Sequence, residues 1–316
     1  MLKLPDKAQR PTIYFIGVTT QKSSIMEVFP KWAKALSIDA AIKGIDISIH
    51  ADRKDYIDCV TFIKNDPLSL GALVTTHKID LFHAAKHLFE YIDPYAEKLE
   101  EISSISKKNG KLCCHAKDPI SSGLSMESFI PPNFWSTNRG EVLLLGAGGS
   151  ALAMSLYLTQ SKWGDNVPSK IIITNRSMPR LEAAKRKLDD LNPKVRFEYI
   201  HTPNPSDNDR ILEGLKPYSL IVNATGLGKD APGSPITDEA SFPVNSLIWE
   251  INYRGALDFM HQANKHKTTR DLHVEDGWIY FIHGWTQVIS EVFHISSNGK
   301  MLDLCNSIAM EMRNSD

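Results

Sequence analysis

The chain has no long hydrophobic run, no surplus of either charge and few cysteines, and each lack removes a class of function. No apolar stretch approaches the length needed to span a bilayer, and the opening MLKLPDKAQRPT has none of the apolar core of a secretory signal, so the sequence reads as soluble and cytosolic. Lysine and arginine number 36 against 37 aspartates and glutamates, a net charge of −1. That balance gives no electrostatic footprint for nucleic acid or an anionic membrane surface and points to small molecules or proteins as partners. The four cysteines, Cys59, Cys113, Cys114 and Cys305, form no C-x-x-C pair and show no even spacing, which argues against a disulfide frame or a structural zinc site. His83 and His87 share a helix face at i, i+4, yet no third ligand follows at a recognisable spacing, so no metal is expected. Internal repeats and low-complexity tracts are also absent.

What is present is alternation. Short β-rich runs (TIYFIGVTT, AAIKGIDISIH, LGALVTTHK) alternate with helical stretches (SIMEVFPKWAKAL and a polar segment from Arg53 to Lys64), the order of an α/β layer with parallel strands. The stretch from Ile79 to Glu100 reads as helical, and ISSISKKNGKLCCHAKD as a hairpin turning at Lys108, Asn109 and Gly110. A second α/β run follows, with strands EVLLLGAG, KIIITNR, VRFEYIH, SLIVNATG and SLIWEINY, consistent with a doubly wound parallel sheet of Rossmann type. At 316 residues the chain is longer than one core usually grows. The expected layout is therefore an α/β domain at 1–120, a doubly wound α/β domain at 121–276, and C-terminal helices at 277–316 that pack back on the first. The sequence leaves the oligomeric state open, a homodimer included.

The stretch VLLLGAGGSALA carries the sharpest signal. Gly146, Gly148 and Gly149, with Ala147 between them and Ser150 after, stand where an apolar strand hands over to an apolar helix. A pyrophosphate reaches the unpaired N–H groups and positive dipole end of a helix N-terminus only where no Cβ blocks its approach. The plain alternative is a tight strand-to-helix turn, and the flanking strand and helix favour the nucleotide. The next strand ends in Asn175, Arg176 and Ser177, with Arg180 behind, instead of the acidic residue that bonds ribose hydroxyls in an NAD site. This favours NADP over NAD.

Together the ordered motifs resemble the shikimate/quinate dehydrogenase family across most of the chain. VLLLGAGGSALA is similar to that family's diphosphate loop and TNRS to its Asn-Arg-Thr adenosine-phosphate motif. VNATGLGK is similar to its Asn-Ala-Thr-x-Leu-Gly loop near the nicotinamide, which implies cofactor contacts from Asn223, Ala224, Thr225, Gly226, Leu227 and Gly228. LVTTHK resembles the family's Val-Thr-x-Pro-x-Lys motif, which makes Lys78 the implied catalytic lysine and Thr75 a substrate contact. CHAKDPISSG resembles Asn-Thr-Asp-x-x-Gly, which makes Asp118 the carboxylate paired with that lysine. A lysine suits ketone reduction because its ammonium both stabilises a developing alkoxide and can surrender a proton. A surface ion pair is the plain alternative.

The pattern also departs from the family. Its Ser-x-Ser-Pro carboxylate motif is represented by adjacent Ser23 and Ser24 with no following proline, and Ser24 could be spent capping the next helix. The family asparagine of Ala-Val-Asn-Thr falls near Ser103 and Ser104, and the asparagine of Asn-Thr-Asp is Ala116. Two amides are thus missing from a polyol pocket. The family's substrate glutamine maps ambiguously to His283 or Gln287, while Trp278, Tyr280, Phe281 and Trp285 read as core. The resulting expectation is an NADP-dependent oxidoreductase for a small hydroxy acid. Its rivals are a cofactor-binding sensor of the same fold without turnover and another two-domain, lysine-using enzyme such as a folate-type dehydrogenase.

Overall fold

The computed structural model describes residues 2–49, 51–229 and 231–313 of a chain that divides into two compact units, 1–117 with 282–316, and 118–281. The first unit begins with β1 (Thr12–Gly17), α1 (Ile25–Ala35), β2 (Ala41–Asp46), α2 (Arg53–Asn65) and β3 (Ser69–Val74). β1 is buried along its whole length and pairs in parallel with β2 on one side and β3 on the other. A strand covered on both faces reads as a continuous apolar run, as TIYFIG does. α1 buries Ile25, Val28, Phe29, Trp32 and Ala33, the i, i+3, i+4, i+7, i+8 stripe of a helix laid on a core.

α3 (Lys78–Ala85), β4 (Tyr91–Ile92), α4 (Pro94–Leu99), β5 (Ser104–Lys108) and β6 (Lys111–His115) complete this stretch. The sheet runs β2-β1-β3-β5-β6-β4, with β5 antiparallel to both of its neighbours. The β5–β6 turn places Asn109 at φ 52° and Gly110 at φ 75°, the left-handed pair that matches hairpin twist. The segment from Ile79 to Glu100 is not one helix. The Asp93 side chain accepts from Tyr95 N–H at 2.7 Å and Pro94 opens α4, so the chain restarts a helix there, and Tyr91–Ile92 pairs with β6 in between.

The second unit contains α5 (Asp118–Glu127), α6 (Phe134–Asn138), β7 (Val142–Leu145), α7 (Gly149–Leu158), β8 (Lys170–Asn175), α8 (Met178–Leu188), β9 (Arg196–His201), α9 (Pro205–Glu213), β10 (Leu220–Asn223), β11 (Leu247–Glu250), α10 (Asp258–His266) and β12 (His273–Glu275). Its sheet is parallel throughout, in the order β12-β11-β10-β7-β8-β9. From β7 the chain winds outward through β8 and β9, then crosses to β10 and winds out the other way. This is the doubly wound order, and its switch point lies between β7 and β10, where the carboxyl ends of the strands leave a crevice for ligands. Leu143, Leu145, Ile221, Ile248, Phe242 and Phe259 belong to the core cluster on one face of this sheet. β12 is an addition to the strands expected from sequence.

α11 (Trp278–Phe293) and α12 (Gly299–Arg313) end the described chain, and the division between units falls within α11. Of the aromatic residues of α11, Trp278 and Trp285 are buried, and Tyr280 and Phe281 are half-buried. Trp285 meets Phe15 at 5.2 Å in the first unit, while Tyr280 meets Trp249 at 5.5 Å and Phe281 meets Tyr253 at 4.6 Å in the second. Within the first unit Trp32 Nε1 donates to the Cys305 carbonyl at 2.8 Å, fastening α12 to α1. All four cysteines are buried free thiols. Among the described residues no helix is long and apolar enough to cross a membrane.

Candidate active site

In the second unit the residues singled out for a dinucleotide gather at the switch point. Gly146 leaves β7 at φ 114°, and a Cβ there would stand 2.7 Å from the Ala224 carbonyl oxygen. Only glycine meets both demands. Gly148, the N-cap of α7, has an ordinary extended backbone, and a Cβ on it would meet nothing within 4 Å. Protein packing therefore does not require its missing side chain, whereas a phosphate approaching the first turn of α7 does. That turn carries no acidic side chain, and Ala147, Gly149 and Ser150 complete it. These features fit a dinucleotide diphosphate.

The two glycines separate into an expected result. Gly146→Ala costs about 1–3 kcal/mol of folding stability through backbone strain, read by urea denaturation. Gly148→Ala unfolds near the wild-type midpoint yet weakens dinucleotide binding on the order of tenfold, because the intruding methyl lies where backbone N–H groups must reach the diphosphate.

At the end of β8 the Asn175 side-chain oxygen accepts from Ser177 N–H at 2.8 Å, closing a local turn and leaving Arg176 on the outside. Arg176 and Arg180 are exposed, and α8 has no acidic residue in its first turn. The strand end is therefore cationic, which suits a phosphate on the adenosine ribose.

Beyond β10 the Asn-Ala-Thr-x-Leu-Gly loop is tied by its own polar groups. The Asn223 oxygen accepts from Thr225 N–H at 3.1 Å and from Thr225 Oγ1 at 2.6 Å, and Leu227 N–H donates to Thr225 Oγ1 at 3.2 Å. Ala224 N–H donates to the Leu145 carbonyl at 2.9 Å, holding the loop against the glycine turn. Gly226 continues this loop, and Gly228, at φ 83°, ends it.

Sequence reasoning missed the group beneath this loop. Glu250 is fully buried at the end of β11, accepting from Asn223 Nδ2 at 2.7 Å and from Asn252 N–H and Nδ2 at 2.9 and 2.6 Å. Desolvation outweighs these bonds and pushes its pKa up from the ordinary glutamate value to about 7. The folded state thus holds a proton that the unfolded state has already lost. Stability from this group is fully present below about pH 4.5 and is lost as pH rises through about 7, by on the order of 3 kcal/mol. Glu250→Gln, which cannot ionise, is expected to flatten that part of the pH–stability profile between pH 5 and 8 in urea denaturation.

In the first unit Lys78 opens α3 directly after β3. Its N–H donates to the Thr75 carbonyl at 3.1 Å, and Ile102 N–H donates to its carbonyl at 3.0 Å. The preceding residue, His77, is another that the sequence did not single out. It is buried, with Nε2 2.9 Å from the Ile47 carbonyl and Nδ1 3.3 Å from the Tyr56 hydroxyl. Burial lowers its pKa, so near neutral pH a neutral imidazole anchors the turn that carries Lys78. Thr75 N–H donates to the Ile16 carbonyl at 3.0 Å, which sets Thr75 beside the end of β1.

The remaining substrate candidates are unevenly available. Ser24 is the N-cap of α1, but its backbone is helical, at φ −53° and ψ −25°, and its side chain makes no cap bond. The alternative in which capping occupies this hydroxyl is therefore not realised: an αR backbone does not turn the oxygen onto the first-turn N–H groups. Ser23 is buried beside it. Ser103 Oγ accepts from Lys117 N–H at 2.6 Å and lies 3.4 Å from the His115 carbonyl, so it fastens the strand ends of the sheet. Gln287 Nε2 donates to Ser297 Oγ at 2.8 Å, and His283 is buried in α11. Asp118 follows Lys117 in the chain and is the buried first residue of α5.

No family model matches the chain. Among curated proteins it is 27% identical over 175 residues to the shikimate dehydrogenase (NADP(+)) of Lactococcus lactis subsp. cremoris, an alignment covering 55% of this chain and 58% of that one. The chain thus aligns with less than two thirds of the length of such relatives. Among solved structures it matches a quinate dehydrogenase from Corynebacterium glutamicum in complex with NAD at TM-score 0.72 and 15% identity, covering 96% of this chain and 99% of that one. A shikimate 5-dehydrogenase from Thermus thermophilus in complex with NADP(H) and shikimate matches at TM-score 0.69 and 16% identity, covering 95% and 98%. At those identities the structures bear on the fold alone, which is the two-domain α/β fold of shikimate dehydrogenases. In sequence the chain is similar to shikimate dehydrogenases, and it shares their fold.

Proposed function

We propose that this shikimate dehydrogenase-like chain is an NADP-dependent oxidoreductase that interconverts a hydroxyl and a ketone on a small shikimate- or quinate-like hydroxy acid. The observation that carries the reading is the glycine turn, where Gly146 is required by the fold while a Cβ at Gly148 would enter open space at the first turn of α7. The names of relatives and the exposed Arg176 support NADP in particular. When bound, the nicotinamide supplies or accepts hydride. Lys78 is assigned the proton, donating it to the alkoxide in reduction and accepting it as a neutral amine in oxidation, with Asp118 as the carboxylate that balances its charge. The chain's own residues also argue that the substrate is not held as in the family, because Ser103 spends its hydroxyl on backbone and Ala116 has no amide to offer.

That last observation favours one alternative, a cofactor-binding sensor that kept the nucleotide site and lost turnover. The deciding experiment is a thermal-shift panel of NADP, NAD, shikimate, quinate and related acids, followed by an assay for NADPH formation. Stabilisation by NADP with a further shift from one acid, and turnover of that acid, supports the enzyme. Stabilisation by NADP with no turnover of any acid supports the sensor, and no response to either dinucleotide ends both readings.

A further inference from the structure

Asn223 and Glu250 are register partners at the carboxyl ends of β10 and β11, and both are fully buried. The Asn223 side chain has one possible orientation, because its oxygen takes two donors from Thr225 and its amide must then point at Glu250. Asn252, from the other side, gives Glu250 two more N–H groups while its amide reaches the carbonyls of Thr225 and Leu227 at 3.3 and 3.4 Å. These neighbours meet Glu250 only with donors: an ionised, all-acceptor carboxylate faces every one of them with a lone pair, whereas the O–H of the protonated form finds no acceptor among them. The loop it braces packs on the diphosphate turn, since a Cβ on Gly146 would lie 2.7 Å from the Ala224 oxygen and 3.2 Å from Thr225 Cγ2. A displaced loop would carry the glycine turn with it.

We infer that Glu250 is a positioning residue whose ionised carboxylate holds loop 224–228 in its cofactor-binding shape and releases it on protonation, so that dinucleotide affinity falls as pH falls. The inference rests on the NADP reading above. Burial puts the exchange at about pH 7, within the working range of most cells. Lys229, on the loop itself, draws in the opposite direction by favouring the charged form. Asp276, at the end of the neighbouring β12, spends a carboxylate oxygen on Trp278 N–H at 2.9 Å. The paradox is physical: the protonated form is cheaper to bury, yet it turns an O–H toward an N–H and gives up one anchor of the loop.

The test is calorimetric titration of the full chain with NADPH at pH 6, 7 and 8, with adenosine 2′-phosphate as the reference. That fragment carries the one phosphate of NADPH that titrates in this range but neither the diphosphate nor the nicotinamide, so the ratio of the two affinities cancels the phosphate titration and isolates the glycine turn and its loop. In wild type the ratio should weaken about tenfold from pH 8 to pH 6, as expected when only the ionised fraction is competent. In Glu250→Gln, which places a donor where an acceptor is needed, the ratio should be flat and close to the wild-type value at pH 6. Without any variant, NADPH binding at pH 7 should release about half a proton more than adenosine 2′-phosphate binding, measured in two buffers of different ionisation enthalpy. A flat wild-type ratio with no extra proton release, or a Glu250→Gln protein that binds like wild type at pH 8, overturns the inference while leaving the NADP reading standing. A chain that binds neither ligand at any pH sinks both.

Discussion

Lys78→Ala should lower turnover by about 10²- to 10⁴-fold, the range in which a positioned proton donor contributes to catalysis. NADPH affinity should stay within about twofold, because the dinucleotide motifs lie on other strands and the substitution removes only a group acting on the reacting oxygen. The expectation depends on how the first unit holds this residue. Backbone bonds from Lys78 N–H to Thr75 and from Ile102 to Lys78 fix the start of α3, and neutral His77 anchors the preceding turn on Ile47 and Tyr56. None of these bonds uses the Lys78 side chain, so the alanine protein keeps its backbone frame. Steady-state kinetics with the acid found in the thermal-shift panel, beside calorimetry with NADPH, separates the two effects. Unchanged turnover would remove Lys78 from the chemistry, and equal loss of turnover and cofactor affinity would mark it as structural.

What could be read from the sequence follows from the reach of each interaction. The strands around Val142 and Leu220 and the glycine turn are local patterns, written in runs of neighbouring residues. Two short strands escaped for the same reason: Tyr91–Ile92 and His273–Glu275 are too brief to show a period, and pairing with β6 and β11 defines them. The helix expected across Ile79–Glu100 overlooked a signal that was present, since Asp93 followed by Pro94 is a start signal for a new helix. Glu250 and Asn252 were hidden differently. In WEINY they look like the polar end of a strand, and only the register that sets Glu250 beside Asn223 reveals a buried carboxylate under the loop. Ser103 could be placed near the substrate motif from sequence, but its commitment to Lys117 N–H depends on two strand ends meeting.

Arg176→Ala should weaken NADPH binding by roughly 10- to 150-fold, equivalent to the 1.5–3 kcal/mol of a hydrogen bond to a charged group, while NADH binding barely changes. The asymmetry arises because the two dinucleotides differ only at the 2′ position of the adenosine ribose, and the guanidinium has nothing else there to hold. Arg176 is exposed at the end of β8, and the turn that Asn175 closes onto Ser177 N–H aims the backbone without using the arginine side chain, so its removal costs the fold little. Arg176→Lys should recover only part of the loss, since an ammonium supplies charge without the planar fork that pairs two phosphate oxygens at once. If Arg180, one helical turn on, supplies the charge instead, Arg176→Ala will leave NADPH affinity near wild type and Arg180→Ala will carry the loss. If both single variants weaken NADH as much as NADPH, this strand end does not read the 2′-phosphate, and the preference for NADP must be sought elsewhere in the second unit.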